Sequence, residues 1–490
     1  MAGTAGEAAG EPAESGQQRR QPHTVADLLT AAVRRGGEHP ALIEGATGRT
    51  ISWADTERLA AAIARRLVGA EMRAGDRVLL RLPNGIAWCV ALFGVLRAGG
   101  VAVPVAVDAP RRVLDHVLTD SGATLVVGEE PAVDDGTPGT GTGDSPANGP
   151  FAFRGHPYEQ RYISVPTEIR ADPAGGDTGA VETDVDATVA SAVVTGLSSS
   201  DGSVGGEDLA VLYYTSGTSG VQRGVMLSHR ALLANVAQCV DMRPAPVTAA
   251  DTVFLALPLY HLYGLGPGLL QAAASGATVL LVERFDPAGA LRLIERHRVT
   301  TVVGVPSMYS ALLTLGEQRL RTGMATVRLL TSGAAPLEPA LLERIDAATG
   351  LRVFEGYGLT ETAPVLTSTM ITGRTKPGSV GRPLPGVELR LVDSDGSALS
   401  EPDETGDERG GTGLVSVRGP NLFSGYWPDG AHGPDAGGWF RTGDIGYLDA
   451  DGDLHLVDRV EDLIIVNGFN VYPHEVEDVL GELDGVAEAA

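Results

Sequence analysis

The part of the sequence with the clearest capacity for chemistry is residues 213–225, YYTSGTSGVQRGV. An apolar strand is predicted before this run of glycine and hydroxyl residues and a helix after it, which argues against a plain Gly/Ser linker. Backbone amides and hydroxyls in such a loop can surround anionic oxygens, and Arg223 adds a cation that neutralises their charge. The segment is not a Walker A loop, which ends in Gly-Lys-Ser/Thr. It therefore predicts an anion-binding loop of another kind.

Five more motifs follow this loop along the chain. They are residues 258–261 (PLYH), 332–337 (SGAAPL), 355–362 (EGYGLTET), 439–444 (WFRTGD), and 458–462 (DRVED) continuing into 467–473 (NGFNVYP). Together with residues 215–223, they resemble in type and order the adenylate-forming superfamily, which contains acyl-CoA synthetases, luciferases and the adenylation domains of peptide synthetases. The resemblance covers residues 25–128 and 205–490. It implies that a carboxylic acid and ATP form an acyl-adenylate and pyrophosphate, and that a thiol then attacks the adenylate.

The resemblance assigns the phosphates of ATP to the loop and to one later motif. The residues expected to bind the β- and γ-phosphates are Thr215, Ser216, Gly217, Thr218, Ser219, Gly220 and Arg223. Thr360 is expected to contact the α-phosphate, and Glu361 to hold Mg²⁺, a hard cation that prefers carboxylate, water and phosphate oxygens. The expected cofactors are therefore ATP, Mg²⁺ and, as the thiol co-substrate, coenzyme A.

The resemblance also assigns the adenosine part of ATP. Tyr357 offers an aromatic face to adenine, and Asp444 can accept both ribose hydroxyls because its two carboxylate oxygens take two donors. Arg459 is expected to bind ribose or phosphate and to help fix the C-terminal part of the chain. The nucleotide-binding set is completed by Gly333, Ala334, Ala335, Glu355 and Gly356, of which the residues at 333–335 are small enough to let the base approach.

His261 is the residue expected beside the acid. In the family this histidine lies near the acyl carboxylate and is proposed to gate the pocket; the alternative is that His261 only packs with Tyr260 and Tyr263. His229 is predicted to be structural and has no assigned role. The predicted catalytic residues are Thr360, Glu361, Arg223, His261 and Arg459.

The predicted acid has an uncharged fatty or aryl tail. Residues 257–264 (LPLYHLYG) contain no acidic side chain that could pair with a buried ammonium, which argues against an amino-acid substrate. The predicted substrate-binding residues, small or apolar apart from the histidine, are His261, Gly333, Gly358 and Leu359.

The elements that must position these motifs follow an α/β pattern. Ser52 and Asp55 form a predicted capping box before an amphipathic helix. A strand, a helix and a strand are predicted at residues 77–82, 86–97 and 101–105, a βαβ unit that implies a parallel sheet.

A second α/β series is predicted from residue 209 to about 370, and short alternating strands follow after 375 with a hairpin turn at residues 449–452. The predicted fold class is α/β: a large N-terminal adenylation domain of two doubly wound α/β subdomains plus a small β-barrel, followed by the start of a small α+β C-terminal domain.

The predicted boundaries are a disordered tail at 1–22, an AMP-binding domain at 23–457, and a hinge with a truncated start of the C-terminal domain at 458–490. Residues 129–208 contain 15 acidic residues against three arginines and are predicted to be an acidic, low-complexity insertion that is solvated.

Composition narrows the class of protein. The 490 residues have a formal net charge of −25, which argues against a nucleic-acid partner. Two cysteines do not make a disulfide framework and fit a reducing cytosol. No apolar run reaches the ~20 residues that a membrane span needs, and the N-terminal segment lacks the apolar region of a secretory signal. These observations predict a cytoplasmic location without integral membrane association.

Two features depart from the family pattern. Arg223 stands where lysine is usual, which keeps the charge but changes the geometry of phosphate binding. Lys376 is the only lysine, and it precedes the predicted barrel, so it is not the C-terminal lysine that the resemblance implies. Because the chain ends at Ala490, where that domain begins, nucleotide binding with slow turnover is expected. An acyl-CoA synthetase acting on a carboxylic acid and CoA is the main hypothesis; the alternatives are an acyl-AMP ligase that loads an acyl carrier protein and a nucleotide-binding, non-catalytic remnant.

Overall fold

The computed structural model describes residues 22–128, 161–163, 204–215, 222–399, 411–459, 464–466 and 469–471, with residues 480 and 486. Some predictions lie outside these residues: nearly all of the tail 1–22, most of the insertion 129–208, residues 216–221 of the anion-binding loop and much of the segment 458–490.

The described residues contain strands that form four sheets. The strands are β1 (Pro40–Glu44), β2 (Thr50–Ser52), β3 (Arg77–Arg81), β4 (Val101–Pro104), β5 (Leu125–Gly128), β6 (Arg161–Ile163), β7 (Leu209–Thr215), β8 (Arg223–Ser228), β9 (Thr252–Leu255), β10 (Thr278–Leu281), β11 (Thr301–Gly304), β12 (Leu329–Ser332), β13 (Val353–Gly358), β14 (Val365–Ser368), β15 (Arg382–Pro383), β16 (Glu388–Val392), β17 (Gly413–Arg418), β18 (Phe440–Leu448), β19 (Leu454–Arg459), β20 (Ile464–Val466) and β21 (Phe469–Val471).

Helices cover and connect the two larger sheets. The α-helices are α1 (Asp27–Gly36), α2 (Trp53–Gly69), α3 (Ile86–Arg97), α4 (Arg111–Ser121), α5 (His229–Val240), α6 (Gln271–Ser275), α7 (Pro287–Arg296), α8 (Pro306–Leu313), α9 (Glu317–Gly323) and α10 (Pro339–Thr349). A π-helix at Gly264–Leu270 runs directly into α6, and short 3₁₀ helices lie at Thr360–Thr362 and Thr369–Ile371. Among the described residues, no helix is both long and apolar enough to cross a membrane.

The largest sheet has nine strands in the order β15-β14-β13-β12-β11-β9-β10-β1-β2. Its six central strands are parallel, whereas β2, β14 and β15 are antiparallel to their neighbours. Strands β10 and β11 are buried along their whole length, which is the continuous apolar pattern of strands covered on both faces. The carboxyl ends of the parallel strands therefore meet at one edge, where loops can converge on a ligand.

The second sheet has six strands in the order β6-β5-β3-β4-β7-β8. Its strands are parallel except for the antiparallel pair β7 and β8. The predicted βαβ unit is confirmed, and so is the capping box: Ser52 Oγ accepts from the amide of Asp55, whose carboxylate accepts from the amide of Ser52. Helix α3 is buried almost throughout. Helix α2 packs so closely on it that a Cβ at Gly94 would lie 2.6 Å from Cγ2 of Ile63, so the contact requires glycine.

The division of the chain between these sheets corrects one prediction. The series predicted to begin at residue 209 does not begin there, because β7 pairs with β4 through Val211 and Ala102 and completes the first α/β unit. In the other direction, β1 pairs with β10 and joins the early residues 40–52 to the nine-stranded sheet. Residues 210–213 of β7 are buried, as expected for a strand inside the first α/β unit.

The strands after residue 375 form the antiparallel part that was predicted as a small barrel. In the described residues it is a four-stranded sheet in the order β16-β17-β18-β19. The predicted hairpin turn at residues 449–452 is confirmed between β18 and β19, and the register of this hairpin places Asp444 opposite Arg459. Strands β20 and β21 form a separate antiparallel pair.

Candidate active site

A cavity of about 490 Å³ lies at the carboxyl ends of β11, β12 and β13, beside the hairpin of β7 and β8. It brings together twelve residues that the sequence analysis selected: Thr215, Arg223, His261, Gly333, Ala334, Gly356, Tyr357, Gly358, Leu359, Thr360, Glu361 and Arg459. Ala335, Glu355 and Asp444 do not line the cavity but are adjacent in sequence to residues that do. Ser216, Gly217, Thr218, Ser219 and Gly220 lie outside the described residues.

The two ends of the anion-binding loop are held by paired strands. Thr215, the last residue of β7, lies opposite Arg223, the first residue of β8. The prediction of a helix directly after the loop is wrong, because the apolar residues 224–228 pair with β7 as a strand. Helix α5 begins only at His229, where Ser228 Oγ accepts a hydrogen bond from the amide of Ala231.

Side chains from neighbouring elements support both strand ends. The Tyr214 hydroxyl donates to Oδ2 of Asp120 at 2.6 Å, and Trp427 Nε1 donates to the Asp120 carbonyl at 2.8 Å. His116 Nε2 lies 3.0 Å from the carbonyl oxygen of Gln222. The loop is therefore anchored to α4 on both of its sides.

Glu361 lies in the 3₁₀ helix between β13 and β14 and is oriented by Tyr426. The Tyr426 hydroxyl donates to Oε1 of Glu361 at 2.7 Å, and the amide of Phe423 donates to the Glu361 carbonyl at 2.9 Å. The guanidinium of Arg223 lies 5.5 Å from the centre of the Tyr426 ring. Tyr426 also lines the cavity, although the sequence analysis did not select it. Tyr426 contacts both the carboxylate of Glu361 and the guanidinium of Arg223, so it links Glu361 to the end of the anion-binding loop.

Asp444 is held by two donors. Its Oδ2 accepts from the Tyr357 hydroxyl, and its Oδ1 accepts from Arg459 Nε at 3.0 Å. Asp444 is only 5% exposed, and burial raises its pKa, while the bonds from Tyr357 and Arg459 oppose that rise. Burial and the neighbouring carboxylate raise the pKa of Tyr357 well above its ordinary value, so Tyr357 keeps the proton that it donates. Each carboxylate oxygen has a second lone pair, so Asp444 retains acceptor capacity for a ligand.

The backbone around Ala334 and Gly358 is shaped by close approach. Ala334 has φ of +65°, a conformation that a residue with a Cβ keeps only where its surroundings hold it. A Cβ at Gly358 would lie 1.8 Å from the carbonyl oxygen of Pro364, so only glycine fits there. A Cβ at Gly333 would lie 3.0 Å from the ring of Tyr263. These small residues line the cavity together with Tyr263 and Tyr357, so little side-chain volume fills the opening beside the two rings.

Glu355 is buried beneath this wall. Burial raises its pKa to about 7, and a hydrogen bond from the backbone amide of Leu337 opposes the rise. The amide of Glu355 donates to Oγ1 of Thr369 at 2.9 Å. The carboxyl group therefore ties the SGAAPL segment to β13 from behind the cavity.

His261 is an exposed residue on the wall of the cavity. Its Nδ1 accepts from the amide of Tyr263 at 3.2 Å, and desolvation lowers its pKa below the ordinary value, so the ring is neutral near pH 7. His261 and Tyr263 both line the cavity, and His261, like its neighbour Tyr260, is exposed. His229, in contrast, is buried, accepts from the amide of Val25 at 3.0 Å, and lies away from the cavity, as predicted.

The inner part of the cavity, called here the inner pocket, extends from His261 between the nine-stranded sheet and the helices that cover it. Its lining residues are Cys239, Met242, Pro246, Val247, Pro267, Gln271, Thr301, Val303 and Phe354. Within the described residues, no acidic or basic side chain lines the inner pocket. Arg223, Glu361 and Arg459 line the other end, so one cavity joins a charged half to an uncharged half.

Three carboxylates outside the cavity could suit a metal ion, but a lysine lies among them. The carboxylate oxygens of Asp449, Asp451 and Asp453 come within 4.8 Å of one another. Lys376 Nζ lies 2.6 Å from Oδ2 of Asp449 and 2.7 Å from Oδ2 of Asp451. Lys376 is thus a structural cation of the β18–β19 turn, and it does not line the cavity.

Residues 29–427 match the family model described as AMP-binding enzyme. A long-chain-fatty-acid–CoA ligase of Escherichia coli O157:H7 is 34% identical over 501 residues, covering 98% of this chain and 84% of the relative. A 4-coumarate–CoA ligase 5 of Oryza sativa subsp. japonica is 33% identical over 467 residues, covering 92% and 78%.

Solved structures share the fold. ATP-bound MatB from Rhodopseudomonas palustris superposes with a TM-score of 0.75 at 30% identity, covering 94% of this chain and 84% of the other. An o-succinylbenzoate CoA synthetase (MenE) from Bacillus subtilis, in complex with the acyl-adenylate intermediate OSB-AMP, has a TM-score of 0.71 at 25% identity and covers 96% and 84%.

Proposed function

The chain belongs to the AMP-binding enzyme family and is an AMP-forming acid–CoA ligase, and we propose that its acid has an uncharged fatty or aryl tail. The observation that carries the proposal is the single cavity whose charged half, with Arg223, Glu361 and Arg459, opens into an uncharged inner pocket. The relatives are named for long-chain fatty acids and for 4-coumarate, which agrees with such a tail.

The phosphates of ATP would bind at the loop between β7 and β8. Thr215 and Arg223 form its base, and residues 216–220 supply the hydroxyls and amides named from the sequence. The guanidinium of Arg223 can bind two phosphate oxygens at once, which a lysine ammonium cannot do with the same directionality. Thr360 would contact the α-phosphate from the opposite wall.

Glu361 fits the requirements of a magnesium ligand. It presents a carboxylate at the cavity wall, oriented by Tyr426, close to the hydroxyl of Thr360, and Mg²⁺ prefers carboxylate, phosphate and water oxygens. When bound, the ion would neutralise charge on the phosphates while pyrophosphate leaves. Tyr426 would hold the carboxylate in place, and Arg223 would balance charge on the other side of its ring.

Adenosine would occupy the opening beside Tyr357. Asp444 would accept from the ribose hydroxyls with the lone pairs that Tyr357 and Arg459 leave free. Adenine would lie along the small residues Gly333 and Ala334. The reacting carboxylate would then meet the α-phosphate near His261, and the neutral imidazole would let a negatively charged acid approach without trapping it in an ion pair.

Acid-dependent exchange between pyrophosphate and ATP tests the proposal. Saturated and aryl acids should support exchange, whereas amino acids should not, because the inner pocket offers their ammonium no counter-charge. Exchange that needs no acid, or that occurs only with amino acids, would contradict the proposal. Asp444→Asn should weaken ATP binding about tenfold, the effect of losing one charge-assisted hydrogen bond, while Asp115→Asn on the surface of α4 should not change it.

The thiol acceptor can be tested in the same assay. Thioester formation with free CoA is expected; loading of a phosphopantetheine arm without reaction of free CoA would favour the carrier-protein alternative. The cytoplasmic location and the slow turnover expected from the sequence stay predictions.

A further inference from the structure

We propose that the inner pocket is built to bind a neutral oxygen group, a hydroxyl or a ketone, on the tail of the acid, and that Gln271 and Thr301 bind this group. The proposal rests on the proposed function, because it takes the inner pocket to be the place of the acid tail.

Gln271 and Thr301 are buried side chains that each have a polar atom without a partner among the described residues. Gln271 is 4% exposed and its Nε2 donates to no acceptor in that part of the chain; Thr301 is 1% exposed and its Oγ1 has no hydrogen bond there. Both residues line the cavity. Buried polar groups in folded proteins are nearly always hydrogen-bonded, and an exception calls for a reason. In the described ranges, three residues with such an exception line the cavity: Ser332 at the end of β12, and Gln271 and Thr301 in the inner pocket. The two in the inner pocket point to a ligand that supplies the missing bonds.

The two residues reach the pocket from different elements. Thr301 is the first residue of β11, and Gly304 is the last. Three residues along a strand separate their Cα atoms by ~10 Å. Gln271 begins α6, directly after the π-helix, and its amide closes a hydrogen bond to the carbonyl of Gly266. Thr301 therefore lies about a strand length from Ser332, which pairs with Gly304 and precedes Gly333, and Gln271 lines the same cavity.

The other residues of the inner pocket are mostly apolar. Cys239, Met242, Val247 and Val303 line it together with Gln271 and Thr301. A saturated tail would pack against these apolar side chains but would leave Gln271 Nε2 and Thr301 Oγ1 without hydrogen bonds. A tail carrying a hydroxyl could accept from the amide nitrogen of Gln271 and donate to the hydroxyl oxygen of Thr301.

A network of paired charges lies beside the inner pocket, in contact with the lining residue Pro246 and adjacent in sequence to Thr301. Arg328 Nη2 donates to the Pro246 carbonyl at 2.9 Å and to Oδ2 of Asp251 at 2.6 Å, while Thr300 Oγ1 donates to Oδ1 of Asp251 at 2.7 Å. The charges of Arg328 and Asp251 offset each other, and neither residue lines the cavity. A neutral oxygen group fits this end better than a carboxylate or an ammonium.

Equilibrium binding of non-reactive adenylate analogues tests the inference without turnover. The probes are acylsulfamoyl adenosines in matched pairs, one with a saturated tail and one with the ω-hydroxylated tail of the same length, measured by calorimetry on the full chain over several tail lengths. At the best length, the hydroxylated analogue should bind about 10- to 100-fold more tightly, the range expected when a ligand group satisfies buried polar atoms.

Variants separate the two contacts. Gln271→Met, of similar length and shape, should abolish most of the preference and still bind the saturated analogue, which shows that the variant is folded. Thr301→Val should reduce the preference independently. Gln318→Met, which replaces an exposed glutamine on α9, should keep the preference of the unmodified chain.

The outcomes distinguish the inference from the function on which it rests. If both analogues bind equally at every length, or if Gln271→Met and Thr301→Val keep the full preference, the inference is overturned. If neither analogue binds the unmodified chain, the proposed function fails instead.

Discussion

Tyr426 should set how much Mg²⁺ the protein needs. Its hydroxyl donates to Oε1 of Glu361 at 2.7 Å, and its ring lies 5.5 Å from the guanidinium of Arg223. Tyr426→Phe removes the hydroxyl and keeps the ring, so it separates the support of Glu361 from the contact with Arg223.

The expected size follows from the type of bond. A hydrogen bond to a charged acceptor contributes about 1.5–3 kcal/mol, which corresponds to roughly 10- to 100-fold in an equilibrium constant. Tyr426 is only partly buried, so the lower end, about tenfold, is expected. Tyr426→Leu also removes the ring and should cost a further two- to fivefold in ATP affinity, since an exposed cation–π contact contributes about 0.5–1 kcal/mol.

Calorimetric titration of ATP at a series of Mg²⁺ concentrations measures the effect. In Tyr426→Phe, the Mg²⁺ concentration at half-maximal ATP affinity should rise about tenfold, while binding of ATP without Mg²⁺ should not change. In Tyr426→Leu, binding without Mg²⁺ should fall as well. An unchanged Mg²⁺ midpoint in Tyr426→Phe would show that the hydroxyl does not position Glu361 for the metal.

Three further predictions concern groups around the cavity. Burial raises the pKa of Glu355 from 4.5 to about 7, so between these pH values the folded chain holds a proton that the unfolded chain has released. The free energy of unfolding should therefore fall by about 3 kcal/mol as pH rises from 4.5 to about 7. Urea melts of Glu355→Gln should lack that fall. Asp120→Ala should weaken ATP binding about tenfold by freeing the Tyr214 end of the loop. In a competition assay, its affinity for the acylsulfamoyl adenosine with a saturated tail should not change. Arg328→Ala should lower the free energy of unfolding by about 2 kcal/mol, less than for a fully buried pair because Arg328 is 40% exposed; a urea melt that does not shift would count against the pairing with Asp251.

The sequence was sufficient to select most residues of the charged half of the cavity, though not Tyr426. Local order carries that information: residues 355–362 form one strand end and one 3₁₀ turn, so Tyr357, Thr360 and Glu361 must lie together. The pairing of Asp444 with Arg459 also follows from local sequence, because a turn at residues 449–452 brings them opposite each other in a hairpin.

The features that could not be predicted from the sequence depend on contacts between residues far apart in the chain. Tyr426 reaches Glu361 from 65 residues away, and no periodic pattern around it indicates that contact. The assignment of β7 and β8 to the first sheet depends on which strand edge β7 meets, which alternation of apolar residues does not specify. Gln271 and Thr301 lie within the predicted second α/β series, and only the folded arrangement shows that each is buried with a polar atom that has no partner in the described part of the chain.

The most direct test of the central claim, that Arg223 and the loop at its side bind the phosphates of ATP, is calorimetric titration of Mg²⁺–ATP into the 490-residue chain and into Arg223→Ala. Clear binding to the unmodified chain is predicted, with at least a tenfold loss in the variant because a charge-assisted phosphate contact is removed. Binding that is absent from the unmodified chain, or that is equal in both proteins, would contradict the account.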